Sequence, residues 1–278
     1  MHLNSTYVTE ALSPRLADAF AFDLDGTIYL GDRLLPGVVE LLRYLRSSRL
    51  PHVFATNNSS RTVRHYVEKL GAMGIMVTPE QVVTSNEVAA SYLLQRGLAN
   101  VYIVGTDEVM AEYRRAGVAH ENNDPQAVLL TYDTSLTYEK LAEANAFLMA
   151  GVPYFATHPD RVCPSPNGPL PDCGAFAALL EASSGRVPVN LGKPSRSMAE
   201  EIRARLGSVA DQRVAFVGDR LYTDVRMANE NGFQAILTLT GEAAGTDAPN
   251  SDAAPDLVVG GMEDLLNHLM ARAEGASS

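Results

Sequence analysis

Short apolar, β-prone runs alternate along this chain with segments whose apolar positions recur at helical spacing. The first run, Ala19 to Phe22, stops at Asp23. Val38, Leu41, Leu42 and Leu45 then follow the i, i+3, i+4, i+7 rule and predict a helix. His52 to Ala55 reads as the next strand. Val63, Tyr66, Val67 and Leu70 predict a second helix, with Gly71 at its C-terminal cap. Val101 to Val104, Ala127 to Tyr132 and Pro153 to Thr157 read as strands, with helices around Val109 to Arg114 and Tyr138 to Leu148. A Pro-rich loop is expected from Pro164 to Pro171. Beyond it, Val187 to Leu191, Arg213 to Val217 and Gln234 to Leu239 read as strands. Ser197 with Glu200 is expected to form a capping box. Gly241 to Pro255 reads as a loop, Leu265, Leu266 and Leu269 as a last helix, and Ala273 to Ser278 as a frayed tail. Repeated strand-helix units predict an α/β fold with a parallel sheet.

Composition narrows the function classes. The chain has 278 residues, 46% of them hydrophobic and 20% charged, which fits one large or two modest globular domains. With 22 Lys and Arg against 33 Asp and Glu, the net charge is -11. A surface this acidic repels phosphate backbones and anionic lipid, so no nucleic-acid or membrane role is expected. An anionic ligand would need a local cation, either a bound metal or a placed lysine. Two cysteines, Cys163 and Cys173, make no disulfide framework, and reduced thiols in a cytoplasm are the expectation. Met1 to Arg15 lacks the apolar core of a signal peptide, and no apolar run is long enough to span a bilayer.

The candidate chemistry sits where strands end. Asp23-Leu24-Asp25-Gly26-Thr27 directly follows the first strand. Two carboxylates at i, i+2 share a side of an extended chain, and Gly26 permits a sharp turn. Such a pair can bind a hard cation, divide into nucleophile and acid/base, or be a solvated turn. Thr56-Asn57-Asn58-Ser59-Ser60 offers hydroxyl and amide donors suited to a phosphate oxygen or to a helix cap. Lys193, in Gly192-Lys193-Pro194-Ser195, is either a charge-neutralising amine or a surface lysine. Gly218-Asp219, with Asp224 five residues on, supplies two more carboxylates for a metal or a cap. Jointly, four strand ends in order carry Asp/Asp, Thr, Lys and Asp/Asp. That is the toolkit of metal-assisted phosphoryl transfer.

These segments resemble the four motifs of the haloacid dehalogenase-like hydrolase superfamily, with Phe22-Asp-Leu-Asp-Gly-Thr27 matching in wording and order. Thr56-Asn-Asn-Ser59, Gly192-Lys-Pro-Ser195 and Gly218-Asp-Arg-Leu-Tyr-Thr-Asp224 resemble the p-nitrophenyl phosphatase, NagD-like subfamily with its class IIA cap. The resemblance runs from about Asp18 to Leu266 and includes Thr137 to Leu141 and Thr157 to Asp160. It implies a Rossmann-like parallel-sheet core, residues 1–79 and 185–278, with a large inserted α/β cap domain, residues 80–184. It implies a Mg²⁺-dependent phosphatase of small phosphate monoesters, such as a sugar phosphate or a nucleoside monophosphate. Asp23 would be the nucleophile, forming an aspartyl-phosphate, and Asp25 the acid/base. Thr56, Asn57 and Lys193 would hold phosphate oxygens, Lys193 also offsetting charge. Asp23, Asp25, Asp219 and Asp224 would hold the metal. A small phosphorylated metabolite is the implied partner, and a homodimer through the cap is expected. The presence of Asp25 favours phosphoester cleavage over dehalogenation.

The chain departs from that subfamily in its cap. Thr157-His158-Pro159-Asp160 replaces a usual Thr-Asn-Pro-Asp, and Pro171-Asp172-Cys173-Gly174 replaces a Gly-rich turn. His158, Asp160 and Asp172 are therefore candidates for substrate specificity. The commoner use of an aspartate in Asp172's position is as the cap of a helix beginning near Gly174. Tyr113, Tyr132, Tyr138 and Tyr154 are expected to pack in the core rather than to stack on a ligand. Two rival functions use the same residues: phosphotransfer to an acceptor other than water, as in a mutase, and a non-catalytic binding protein on the same scaffold.

Overall fold

Four consecutive residues with no solvent exposure, Ala19–Phe22, are sheathed on both faces, as a strand inside a parallel sheet must be. The computed structural model describes residues 17–165, 168–242 and 253–275 of the chain. Residues 1–16, residues 166–167 of the loop expected over Pro164 to Pro171, residues 243–252 of the loop expected over Gly241 to Pro255, and residues 276–278 of the tail expected over Ala273 to Ser278 lie outside them. By its contacts the chain divides into two units, Met1–Phe54 with Ile202–Ser278, and Ala55–Glu201.

In the first unit the strands run in the order Leu257–Val259, Gln234–Thr238, Val214–Gly218, Ala19–Phe22, His52–Thr56, all parallel. Phe22 lies level with Val217 on one side and with Phe54 on the other. The chain leaves Ala19–Phe22 toward His52 on one side and returns on the other at Val214. The strand order therefore reverses beside Ala19–Phe22, and ligands bind outside the carboxyl ends of strands at such a point. Helix Val38–Ser47 buries Val38, Leu41, Leu42 and Leu45, the four positions its spacing marks. It packs against helix Met262–Gly275. Gly37 makes that contact possible, since a Cβ there would strike the backbone nitrogen of Glu263.

The second unit has its own parallel sheet, in the order Val189–Asn190, Tyr154–Ala156, Ala127–Leu130, Asn100–Val104, Ala119–His120. Threonine starts four of its helices. Thr62, Thr84, Thr106 and Thr137 each accept a backbone N–H of the first turn, and Glu87 completes a capping box with Thr84. Tyr132 and Tyr154 belong to the buried core with Val128, Leu130 and Leu180, and Tyr113 is buried as well. Tyr138, expected in the core, is 85% exposed, because it opens helix Tyr138–Met149 on the solvent side.

Several expected boundaries move. Gly71 lies inside helix Val63–Ala72, and the left-handed residue that follows it is Gly74, φ 86°. Helix Arg196–Leu206 begins one residue before Ser197, and its first-turn N–H at Met198 is met by Ser195 Oγ at 3.4 Å. The strand expected over Val187 to Leu191 shrinks to Val189–Asn190. Strands Val82–Thr84 and Leu257–Val259 and helix Ser85–Gln95 were not expected. Among the described residues, no helix is long and apolar enough to cross a membrane.

One carboxylate of the second unit makes its stability pH-dependent. Glu112, on helix Asp107–Ala116, accepts the Val63 N–H at 3.1 Å. Burial pushes its carboxyl up to about 7, only partly opposed by that hydrogen bond and by Arg115, while Glu87 and Glu108 add to the rise. The folded value lies above the ordinary one, so the folded state holds a proton that the unfolded chain has released. The contribution to stability is greatest below the ordinary value of 4.5 and declines as pH climbs through about 7. Glu112→Gln keeps the acceptor and removes the charge. Melting curves are expected to show the variant more stable than wild type at pH 8, with the gap closing toward pH 4.5. A constant gap across that range contradicts the assignment.

Candidate active site

The end of strand Ala19–Phe22 fixes the first carboxylate. Asp23 N donates to Val217 O at 2.8 Å, which holds Asp23 level with the neighbouring strand. The chain then turns at Gly26, φ 91°, and folds back so that Gly26 N meets Tyr29 O at 2.8 Å. Half-buried Asp25 accepts the Tyr29 hydroxyl at 3.2 Å. A Cβ on Gly26 would lie 2.5 Å from Asp219 Oδ2, so only glycine lets this turn approach Asp219 so closely.

Asp219 follows strand Val214–Gly218. Its Oδ2 accepts Glu242 N at 2.7 Å, and Thr240 Oγ1 donates to Gly26 O at 2.6 Å, so the loop after strand Gln234–Thr238 secures both sides of the cluster. Asp224 sits in a widened helical turn, Leu221–Val225, and its Oδ2 accepts Arg220 N at 3.1 Å. Wide turns of this kind concentrate at functional sites. Gly218 is as constrained as Gly26, since a Cβ there would collide with the Asp224 carboxylate.

Asp23, Asp219 and Asp224 are all buried, and one carboxylate oxygen from each lies within 4.8 Å of the others. Three buried negative charges at that distance repel one another, and a bound cation relieves the repulsion. An all-oxygen, carboxylate donor set suits a hard divalent ion. The residues therefore fit a metal of that class.

The second unit gathers the remaining candidates. Lys193, 2% exposed, donates through Nζ to Ala55 O at 3.4 Å. The Asn57 side chain clasps the Lys193 backbone. Its Oδ1 accepts Lys193 N at 2.8 Å and its Nδ2 donates to Lys193 O at 3.1 Å. Asn57 Nδ2 also faces the Asp160 carboxylate, at 3.3 and 3.4 Å. Gly192 makes the clasp possible, as a Cβ there would lie 2.6 Å from Asn57 Oδ1. Thr56 is buried, and its Oγ1 accepts Asn58 N at 3.1 Å, which leaves its O–H to donate. Ser59, from the same segment, ties Thr157 Oγ1 at 2.8 Å and Tyr132 N at 2.7 Å.

His158 is fully buried between Asp160 and Asp172, which are themselves buried. Asp172 is the N-cap of helix Cys173–Ser184 and accepts Cys173 N at 2.6 Å. These three candidates are thus brought together, with Asn57 and Lys193, as a buried network rather than as surface groups. Cys173 is buried and its thiol is pushed up to about 12 by burial, which makes it inert; Cys163 is half-buried.

Comparison with known proteins supplies the family. A haloacid dehalogenase-like hydrolase model matches residues 20–119, and a HAD-hydrolase-like model matches residues 190–265. An acid sugar phosphatase of Staphylococcus aureus is 33% identical over 239 residues, covering 85% of this chain and 92% of that protein. The structure of a 4-nitrophenylphosphatase from Thermotoga maritima superposes with a TM-score of 0.87 at 41% identity, covering 90% of this chain and 97% of that one. The glycerol phosphate phosphatase of Mycobacterium tuberculosis in complex with magnesium gives 0.83 at 32% identity, covering 90% and 77%.

Proposed function

We propose, from the premise that the chain belongs to the haloacid dehalogenase-like hydrolase family and is a phosphate-ester hydrolase, that it cleaves small phosphate monoesters with Mg²⁺ through an aspartyl-phosphate on Asp23. The observation that carries the reading is the convergence of three buried carboxylates, Asp23, Asp219 and Asp224, beside the reversal of strand order. Asp23, the Asp25 carbonyl, Asp219 and Asp224 would hold the metal. When bound, the ion offsets charge on the phosphoryl oxygens.

The chain's own residues do the rest. An Asp23 carboxylate oxygen attacks phosphorus, and the bond to the ester oxygen breaks. Asp25, oriented by the Tyr29 hydroxyl, gives that oxygen a proton. The deprotonated Asp25 then takes a proton from water as the water attacks the same phosphorus. The bond to Asp23 breaks, phosphate leaves, and both carboxyls return to their starting states. The Thr56 hydroxyl, the Asn57 backbone amide and the Lys193 ammonium hold the phosphoryl oxygens, and the Asn57 side chain keeps Lys193 in register.

The relatives are named an acid sugar phosphatase, a 4-nitrophenylphosphatase and a glycerol phosphate phosphatase, and those names support a sugar or polyol phosphate, or a similarly small ester, as the substrate. Residues 80–184 would be the inserted cap that selects it, and a homodimer formed through that cap in the cytoplasm completes the proposal. The test is phosphate release from p-nitrophenyl phosphate with Mg²⁺ and with chelator, followed by a panel of sugar, polyol and nucleoside phosphates. Mg²⁺-dependent release with preference for one class supports the reading. A folded, metal-loaded protein inactive on the whole panel overturns it.

A further inference from the structure

The Asp160 and Asp172 carboxylates stand on either side of one buried imidazole. His158 Nδ1 lies 3.6 Å from Asp160 Oδ2, and His158 Nε2 lies 3.5 Å from Asp172 Oδ1. The two aspartates bracket an antiparallel hairpin in which Val162 pairs with Pro171 and Cys163 with Leu170. Backbone bonds close the base of that hairpin. Asp172 N donates to Arg161 O at 3.0 Å, and Gly174 N to Asp160 O at 2.8 Å. Helix Cys173–Ser184 starts there, so tightly packed that a Cβ on Gly174 would collide with Pro159 O.

Contacts continue from the hairpin base to the catalytic lysine. Asp160 receives Asn57 Nδ2, and Asn57 holds both the N–H and the carbonyl of Lys193. A line of polar side chains thus runs Asp172, His158, Asp160, Asn57, Lys193, all within the second unit and all buried.

We propose that His158 is a positioning residue, held as an imidazolium between Asp160 and Asp172, that clips the hairpin base and sets the register of Lys193 through Asn57. The argument is one of donors and acceptors. A neutral imidazole has a single N–H and would turn a lone pair toward one of the two carboxylates. An imidazolium donates toward both, so neither buried carboxylate faces a lone pair. The groups against His158 are Asp160, two residues on in the same loop, Asp172 at the helix start, and Cys173. The Cys173 thiol, raised to about 12 by burial, stays neutral and adds no competing charge. His158 itself has no exposure, so its effect on substrate passes through Lys193 and the hairpin rather than through contact.

The role assigned to Lys193 rests on the phosphatase reading, but the clip can be tested apart from it. Nitrogen NMR of the full-length protein reports the ring directly, and both His158 nitrogens are expected to be protonated at pH 7. His158→Asn leaves both carboxylates without their cation, Asp172→Asn removes one of the two acceptors, and the double variant leaves only Asp160 without the cation, while Asn at 172 preserves the helix cap. With p-nitrophenyl phosphate, kcat is expected to fall on the order of tenfold in His158→Asn with KM little changed, the scale at which a misplaced catalytic group acts. The double variant is expected to recover part of that loss. Its melting temperature should likewise exceed the value obtained by adding the two single effects. A neutral ring, or losses that simply add, overturns the proposal. If wild type proves inactive on every ester, the phosphatase reading fails, and the ring protonation and the coupled melting temperatures still decide the clip. If His158→Asn does not fold, Asp172→Asn with the wild-type NMR gives the same decision.

Discussion

Asp23→Asn is expected to abolish phosphate release while leaving a well-folded protein. The substitution is isosteric, and the strand it follows is held by backbone bonds and by residues with no exposure. The carboxamide cannot attack phosphorus as a carboxylate does, so no aspartyl-phosphate forms. Loss of a covalent nucleophile costs on the order of four orders of magnitude or more. The same change removes one of three crowded negative charges, so the metal-free variant is expected to melt no lower than wild type. Activity with p-nitrophenyl phosphate and thermal melts on the same preparation check both halves. Lost activity with a lowered melting temperature would point to a damaged fold instead.

Asp219→Asn is expected to invert the order of stability with and without metal. The carboxylates of Asp23, Asp219 and Asp224 approach within 4.8 Å, where one pair at an effective dielectric constant near 20 repels by about 3–4 kcal/mol. In chelator, the variant loses two such repulsions and is expected to melt above wild type. Its amide oxygen can still accept Glu242 N, so the loop contact survives. In Mg²⁺, wild type gains roughly 2.7 kcal/mol once the ion reaches a hundred times its dissociation constant, and the variant gains far less. Thermal melts of both proteins in chelator and in Mg²⁺ read the crossing directly. Parallel shifts, with wild type above or below the variant in both conditions, would remove Asp219 from the metal site.

Strand ends were the most legible part of this protein. Ala19–Phe22 and Val214–Gly218 are short, apolar and run directly into Asp23 and Asp219, and local chemistry alone marks them. Asp23, Asp219 and Asp224 could be grouped because strands ending in carboxylates, taken in order, imply a shared edge of a parallel sheet. Helix Ser85–Gln95 was illegible because polar residues occupy its buried side. Asn86 is 2% exposed and is consumed by Ser59 O, Arg61 O and the Tyr113 hydroxyl, so the apolar periodicity that reveals a helix is broken. Leu257–Val259 is a three-residue edge strand, too short to carry a pattern.

The candidate residues outside the carboxylate cluster divide along the same line. Lys193 and Thr56 are candidates by their place after strands. Asn57 is a ligand candidate through the amide donors at its strand end, and the clasp of its side chain on Lys193, 136 residues away, is something no local rule reveals. Either reading of Asp172 could be written from its neighbours. The helix cap is what forms, and its second contact, with His158, depends on the hairpin between them folding back.

The account stands or falls on a phosphoryl group carried by Asp23, and Asp25→Asn offers the most direct view of it. p-Nitrophenolate leaves without needing a proton, so this variant is expected to complete the first step and stall before the second, which needs a base. Rapid mixing should show a burst of nitrophenolate equal to the protein present, and acid-quenched peptides should carry the phosphate on Asp23. Absence of a burst together with undiminished steady turnover, or phosphate found on another residue, would contradict the mechanism.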